Sequence, residues 1–76
     1  MIEVGLFATL RLRARENKGK FHLQFRQGLS VRDVVEELGL DPADIRIVMV
    51  NGIHGGFDTE LAEDDRVGLF PPVGGG

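Results

Sequence analysis

The chain has 76 residues, 9 Lys plus Arg against 12 Asp plus Glu, a net charge of −3 and no cysteine. That length allows one compact domain, and the absence of cysteine excludes disulfides, Cys-based metal sites and a thiol nucleophile. A mildly acidic chain lacks the concentrated basic face of a nucleic-acid binder, and no apolar run reaches the ~18 residues of a membrane span.

Ile2, Val4, Leu6 and Ala8 alternate with Glu3, Gly5, Phe7 and Thr9. This is the period-two pattern of a strand. Met1 leads straight into that strand, with no basic segment and no apolar stretch of the signal-peptide kind, so a soluble cytoplasmic protein is expected. Residues 10 to 19 form a polar connection that carries Arg11, Arg13 and Arg15. A solvated loop is the first reading of these arginines and an anion site the second. Phe21, Leu23 and Phe25 then alternate with His22, Gln24 and Arg26 and predict a second strand.

Ser30 opens the clearest helix. It suits an N-cap, and Asp33 three residues on gives a variant of the capping box. Val31, Val34, Val35 and Leu38 follow the spacing of one buried face, Glu36 and Glu37 fall on the wet side, and Gly39 supplies a stop. Asp41-Pro42 predicts a turn. Ile45 to Val50 is an apolar run with only Arg46 polar and reads as a strand buried on much of both faces. Asn51-Gly52 is a tight-turn signal, Ile53 to Phe57 a short return strand weakened by Gly55-Gly56, and Arg66 to Phe70 the last strand. Five acids between Asp58 and Asp65 read as a solvated turn.

The order is strand, strand, helix, strand, short strand, strand. It predicts an α+β domain, a mixed sheet with one main helix on one face, and the β-grasp fold fits it. The domain is assigned to residues 1–70 and a flexible Gly-rich tail to 71–76.

The tail is Pro71-Pro72-Val73-Gly74-Gly75-Gly76. Two prolines stiffen its base, and three glycines leave a thin tip without side chains. Such a tail suits insertion into a narrow channel, and extended chain advances ~3.3–3.6 Å per residue. A terminal carboxylate is ionised near neutrality and is a poor electrophile until a leaving group is attached. The chain has no G-x-x-x-x-G-K-[ST] phosphate loop to attach one, so an external activating enzyme is required. His22 and His54 have neither ligand spacing nor a cysteine beside them, so no metal site is proposed. No acid pair and no nucleophile–base constellation is evident, so the chain is not expected to be catalytic alone.

Leu6-Phe7-Ala8-Thr9-Leu10-Arg11, Val50-Asn51-Gly52 and the segment Asp65 to Gly76 together resemble the MoaD/ThiS family of sulfur carriers, over nearly the whole chain. The Phe-Pro-Pro-Val before the glycines is most similar to the molybdopterin synthase small-subunit branch. The resemblance implies a ubiquitin-like β-grasp fold and an E1-like enzyme that uses ATP to adenylate Gly76. The carboxylate then becomes a thiocarboxylate, with sulfur supplied by a donor such as a cysteine desulfurase or rhodanese. No cofactor is held by the chain itself. In the molybdopterin branch the tail enters the large synthase subunit, which casts Gly74 and Gly75 as threading residues and Gly76 as the reacting one. Two positions depart from the family pattern: Gly74, where Ser, Thr or Ala is frequent, and Glu63-Asp64-Asp65, where Asp-Gly-Asp is frequent. Asp tolerates a left-handed backbone better than most residues, so a similar turn is expected.

Phe7 and Phe70 lie out of phase with the inward residues. If the first and last strands are neighbours, both rings emerge on the face away from the helix as a partner surface, together with Pro71, Pro72 and Val73. Met49 and Val48 are further candidates. Other readings remain: sulfur delivery to thiamine, tRNA or a tungsten-pterin pathway, a ubiquitin-like modifier of proteins, or a plain β-grasp binding module.

Overall fold

The computed structural model describes residues 1–8, 10 and 19–72. Its strands are β1 (Ile2–Leu6), β2 (Lys20–Leu23), β3 (Ile47–Val50), β4 (Ile53–Gly55) and β5 (Arg66–Phe70). The helix α1 spans Val31–Glu37, and a 3₁₀ turn spans Pro42–Asp44. The strands form one sheet in the order β2-β1-β5-β3-β4. Among the described residues only the β1–β5 pair is parallel. Parallel neighbours need a long crossover, and here everything between the two strands supplies it. This is the mixed α+β, β-grasp arrangement that fits the order of elements, in the ubiquitin-like form that the resemblance implies.

Alternation decides the two faces of the sheet. Ile2, Val4 and Leu6 from β1, Val48 from β3, and Val67 and Leu69 from β5 point to one side and are buried. Val31, Val34 and Val35 of α1 join the same cluster, closed by Leu10, Leu29, Ile45 and Leu61 from the connections. Each such buried aliphatic side chain contributes roughly 1.5–3 kcal/mol relative to exposure, and thirteen of them among the described residues form the core of a very small domain.

A helix of seven residues is too short to stand on propensity, and its ends explain why it forms. The Asp33 N–H donates to Ser30 Oγ at 3.3 Å, and the Ser30 N–H donates to Asp33 Oδ2 at 3.0 Å, completing the capping box. Two more free donors of the first turn, Val31 N–H and Arg32 N–H, reach the carbonyls of Thr59 and Phe57. At the other end Gly39 takes φ +71°, and the N–H groups of Gly39 and Leu40 donate to the carbonyls of Glu36 and Val35. That is a Schellman ending.

Several strand boundaries differ from the sequence reading, and β4 stops at Gly55 where a return strand as far as Phe57 is predicted. β1 stops at Leu6, and Ala8 is exposed with φ +53° instead of continuing the inward row. β5 ends at Phe70 and gives β1 nothing further to pair with, so the chain turns, and Leu10 takes the inward place at 1% exposure. β2 ends at Leu23, although Phe25 still packs on the core. β3 begins at Ile47 because Ile45 caps the 3₁₀ turn. Asn51 and Gly52 both have positive φ, as a type I′ hairpin requires. The segment 11–18 with Arg11, Arg13 and Arg15 lies outside the described residues.

Ser30→Ala should lower stability by about 1 kcal/mol in urea unfolding. The Asp33 carboxyl is held below its ordinary value of 3.8, first by the Ser30 N–H and next by the Ser30 hydroxyl. A carboxyl with a lowered folded pKa stabilises fully above its unfolded value and loses that contribution as pH falls through the folded one. Asp33→Asn should therefore show a shallower loss of stability below pH 3.8 than the parent chain, measured by urea titration across that range.

Candidate functional site

The face of the sheet away from α1 is built on two glycines. In the parallel register Gly5 lies beside Gly68, and Leu6 beside Leu69. Both strands therefore run Gly-Leu-Phe in step. The leucines point into the core, and the residues on either side of them point out. A Cβ added at Gly5 or at Gly68 would stand 3.3 Å from Cε2 of Phe7. The Phe7 ring thus lies over a floor that has no side chains.

Phe70 stacks on Phe7 with ring centroids 4.5 Å apart and planes 7° from parallel. Phe7 remains 43% exposed, and Phe70 and Pro71 are half-buried. A stacked pair at a surface contributes about 0.5–1.5 kcal/mol beyond area burial, and it offers a rigid apolar patch to a partner. A shallow groove of about 330 Å³ runs beside the stack, lined by Phe7, Phe70, Gly68 and Met49, with Lys20, Glu3 and Arg66 among its polar residues. Met49 pairs with Gly68 and faces this side, whereas Val48 faces the core.

Pro72 is exposed. It carries the chain off the end of β5, so the tail leaves from the middle of the sheet at the rim of the aromatic patch. Val73, Gly74, Gly75 and Gly76 lie outside the described residues.

Four acids of the 58–65 segment, Asp58, Glu63, Asp64 and Asp65, are engaged in holding loops. Asp58 pairs with Arg32 at 2.9 Å, and Glu63 with the Met1 ammonium at 2.7 Å. That ammonium is held above its ordinary value, chiefly by Glu63. Asp65 accepts from Asn51 Nδ2 at 2.9 Å, and Asn51 Oδ1 accepts from the Arg66 N–H. Asp64 takes φ +68°, the left-handed turn expected for Glu63-Asp64-Asp65. Among the described residues, no three metal-capable side chains converge, and no helix is long and apolar enough to cross a membrane.

Sequence reasoning placed Phe7 and Phe70 on one face and missed the glycine floor beneath them. The signal was present as the same tripeptide in the first and last strands, but it acquires meaning only once those strands are parallel and in register.

Residues 4–76 match the model of the ThiS family. The chain belongs to the ThiS family. No curated protein matches it. Solved structures do. A Pyrococcus furiosus protein whose name proposes it as molybdopterin converting factor, subunit 1 is 30% identical, with TM-score 0.70, over 95% of this chain and 97% of its own. SAMP1 from Haloferax volcanii is 26% identical, with TM-score 0.78, over 99% of this chain and 98% of its own. A second structure, of small archaeal modifier protein 1 from H. volcanii, is 27% identical, with TM-score 0.77, over 95% and 97%. The chain is thus a ubiquitin-like member of the sulfur carrier and modifier group.

The glycine floor gives a variant that separates surface from fold. Gly5→Val introduces a β-favourable residue whose methyls occupy the place of the Phe7 ring. Stability should change by no more than about 1 kcal/mol, the span of strand propensity. The ring-current shifts that mark the Phe7–Phe70 stack in the proton NMR spectrum should disappear. An intact stack in the folded variant would show that the ring does not depend on the floor.

Proposed function

We propose that this ThiS-family protein is a sulfur carrier for molybdopterin synthesis and acts as the small subunit of molybdopterin synthase. The observation that carries the proposal is the stacked Phe7–Phe70 pair at the point where Pro71-Pro72 leaves the sheet. A rigid apolar patch beside the root of a slim tail joins a docking surface to a reactive end. The Pyrococcus furiosus likeness supports this branch by its name.

In this reading a carboxylate oxygen of Gly76 attacks the α-phosphorus of ATP on an E1-like enzyme, and pyrophosphate leaves. The outer sulfur of a persulfide on a desulfurase- or rhodanese-type donor then displaces AMP to give an acyl disulfide, and a second thiol cleaves its S–S bond, so that the thiocarboxylate leaves and a disulfide stays behind. The large synthase subunit receives the tail and draws sulfur from it. Phe7, Phe70, Pro71, Pro72 and Val73 dock, Gly74 and Gly75 pass through the channel, and Gly76 reacts. The chain contributes position and an acyl group, and its partners contribute the catalytic side chains.

A second reading is favoured by the Haloferax volcanii structures, which carry the name of a modifier. There the activated Gly76 acyl group passes to a lysine amine on another protein. Conjugates that survive denaturation would favour it.

Intact-mass spectrometry after incubation with the activating enzyme, ATP and a sulfur source tests the carrier chemistry. The expected result is a mass gain equal to exchanging one oxygen for sulfur, localised to Gly76. No gain, with the enzyme active on another carrier, refutes it. Removal of Gly76 leaves a Gly-Gly end shortened by ~3.3–3.6 Å. Sulfur transfer to the pterin precursor should then be nearly abolished, and wild-type transfer by the truncated chain would show that reach is not the constraint.

A further inference from the structure

Asn51-Gly52 is a turn signal, and it is also a dipeptide prone to deamidation, because glycine leaves the following nitrogen without a Cβ to shield it. In that reaction the Gly52 nitrogen gives up its proton and attacks Asn51 Cγ, and the side-chain nitrogen leaves as ammonia. Water then opens the cyclic imide to aspartate or isoaspartate. Both residues are exposed, so water and base reach them.

Attack requires the Asn51 side chain to turn onto its own main chain. Its hydrogen bonds hold it elsewhere. Nδ2 donates to Asp65 Oδ1 at 2.9 Å, and Oδ1 accepts from the Arg66 N–H at 3.0 Å. The Asn51 N–H donates to the Arg66 carbonyl at 2.8 Å. Asp65 is itself fixed, since its Oδ2 accepts from the Ala62 N–H at 2.8 Å. Both ends of the reactive amide, and the main chain behind it, are thus tied to the start of β5. One of these ties ends on a carboxylate and is the stronger for that charge.

We propose that Asn51 is a latent deamidation site, held silent by its clamp to Asp65 and Arg66. The reaction waits for the turn to open away from β5, and its rate follows the population of that open state. The product cannot restore the clamp. It sets a carboxylate where Nδ2 stood, against the carboxylate of Asp65, and no donor remains between the two. Gly52 and Arg66 both line the groove beside the aromatic stack. A deamidated chain therefore carries an added negative charge and a loosened turn on its candidate docking face.

The test follows deamidation of the full chain in warm, mildly alkaline buffer by peptide mass mapping. The readout is the mass gain from amide to carboxylate, localised to Asn51 and not to Asn17, the other asparagine of the chain. The folded wild type should react at least about thirtyfold more slowly than the same chain in denaturing urea, since two side-chain hydrogen bonds must open first. Asp65→Ala should raise the folded rate about tenfold and leave the rate in urea unchanged. Ser30→Ala weakens the fold without touching the clamp and should stay as slow as the wild type. Equal rates in buffer and urea, a folded Asp65→Ala as slow as the wild type, or equal acceleration by Ser30→Ala would overturn the proposal. The product mimic Asn51→Asp keeps the test open should Asp65→Ala fail to fold. It should melt below the wild type, and adding Asp65→Asn should recover most of the loss by exchanging donor and acceptor. A double variant no more stable than Asn51→Asp alone would show that no clamp joins the two side chains, and the proposal would fall.

Discussion

The parallel pairing of β1 with β5 is the constraint on which the rest of the molecule depends. It sets Gly5 beside Gly68 and Leu6 beside Leu69, and it brings the two following phenylalanines into a stack. A slip of one residue would turn the leucines of one strand outward and its glycine and phenylalanine inward. Core and surface are therefore fixed by the same register. The pairing also makes the sheet mixed, because the two hairpins on its flanks are antiparallel.

The molecule divides its labour along β5. At its beginning, Arg66, Asp65 and Asn51 form a polar clamp with the acidic turn, and the acids there are committed to ammonium, amide and guanidinium groups of the same chain. At its end stand the aromatic stack and Pro71. Surface ion pairs of the first kind contribute little each, usually below about 1 kcal/mol, and they serve to hold loops. The second end offers rigid rings, groups whose contacts are still to be made. In the proposed carrier role, with the main-chain terminus as the reacting group, recognition is the main task left to side chains.

Local signals in the sequence were legible wherever a single backbone conformation had to be specified. Ser30 and Asp33 announced the start of α1, Gly39 its end, and Asn51-Gly52 the hairpin, since each is a response to a nearby backbone demand. Alternation likewise separated Leu6 from Phe7 and Leu69 from Phe70. Ala8 misled because alternation does not say where a partner strand stops. The Ile45–Val50 run hid the faces of Val48 and Met49 for a related reason: apolar residues on both sides erase the period. Ile53 shares the phase of the inward residues yet is 71% exposed, because β4 is an edge strand beyond the cover of α1. The glycine floor is a long-range fact, set by strands far apart in the chain. No local pattern contains it.

The strand order has a consequence for biosynthesis. With β5 absent, the sheet is two hairpins, β2–β1 and β3–β4, with no bond between them. In a chain emerging from the ribosome no ladder joins those halves until residues 66–70 arrive. The β1–β5 contacts span more than sixty residues, so closing the sheet is a late and comparatively slow event. A folded body thus certifies that translation has passed Phe70 and reached the root of the tail. Partners that recognise the closed aromatic face would pass over chains cut short before that point, without inspecting the glycines at all.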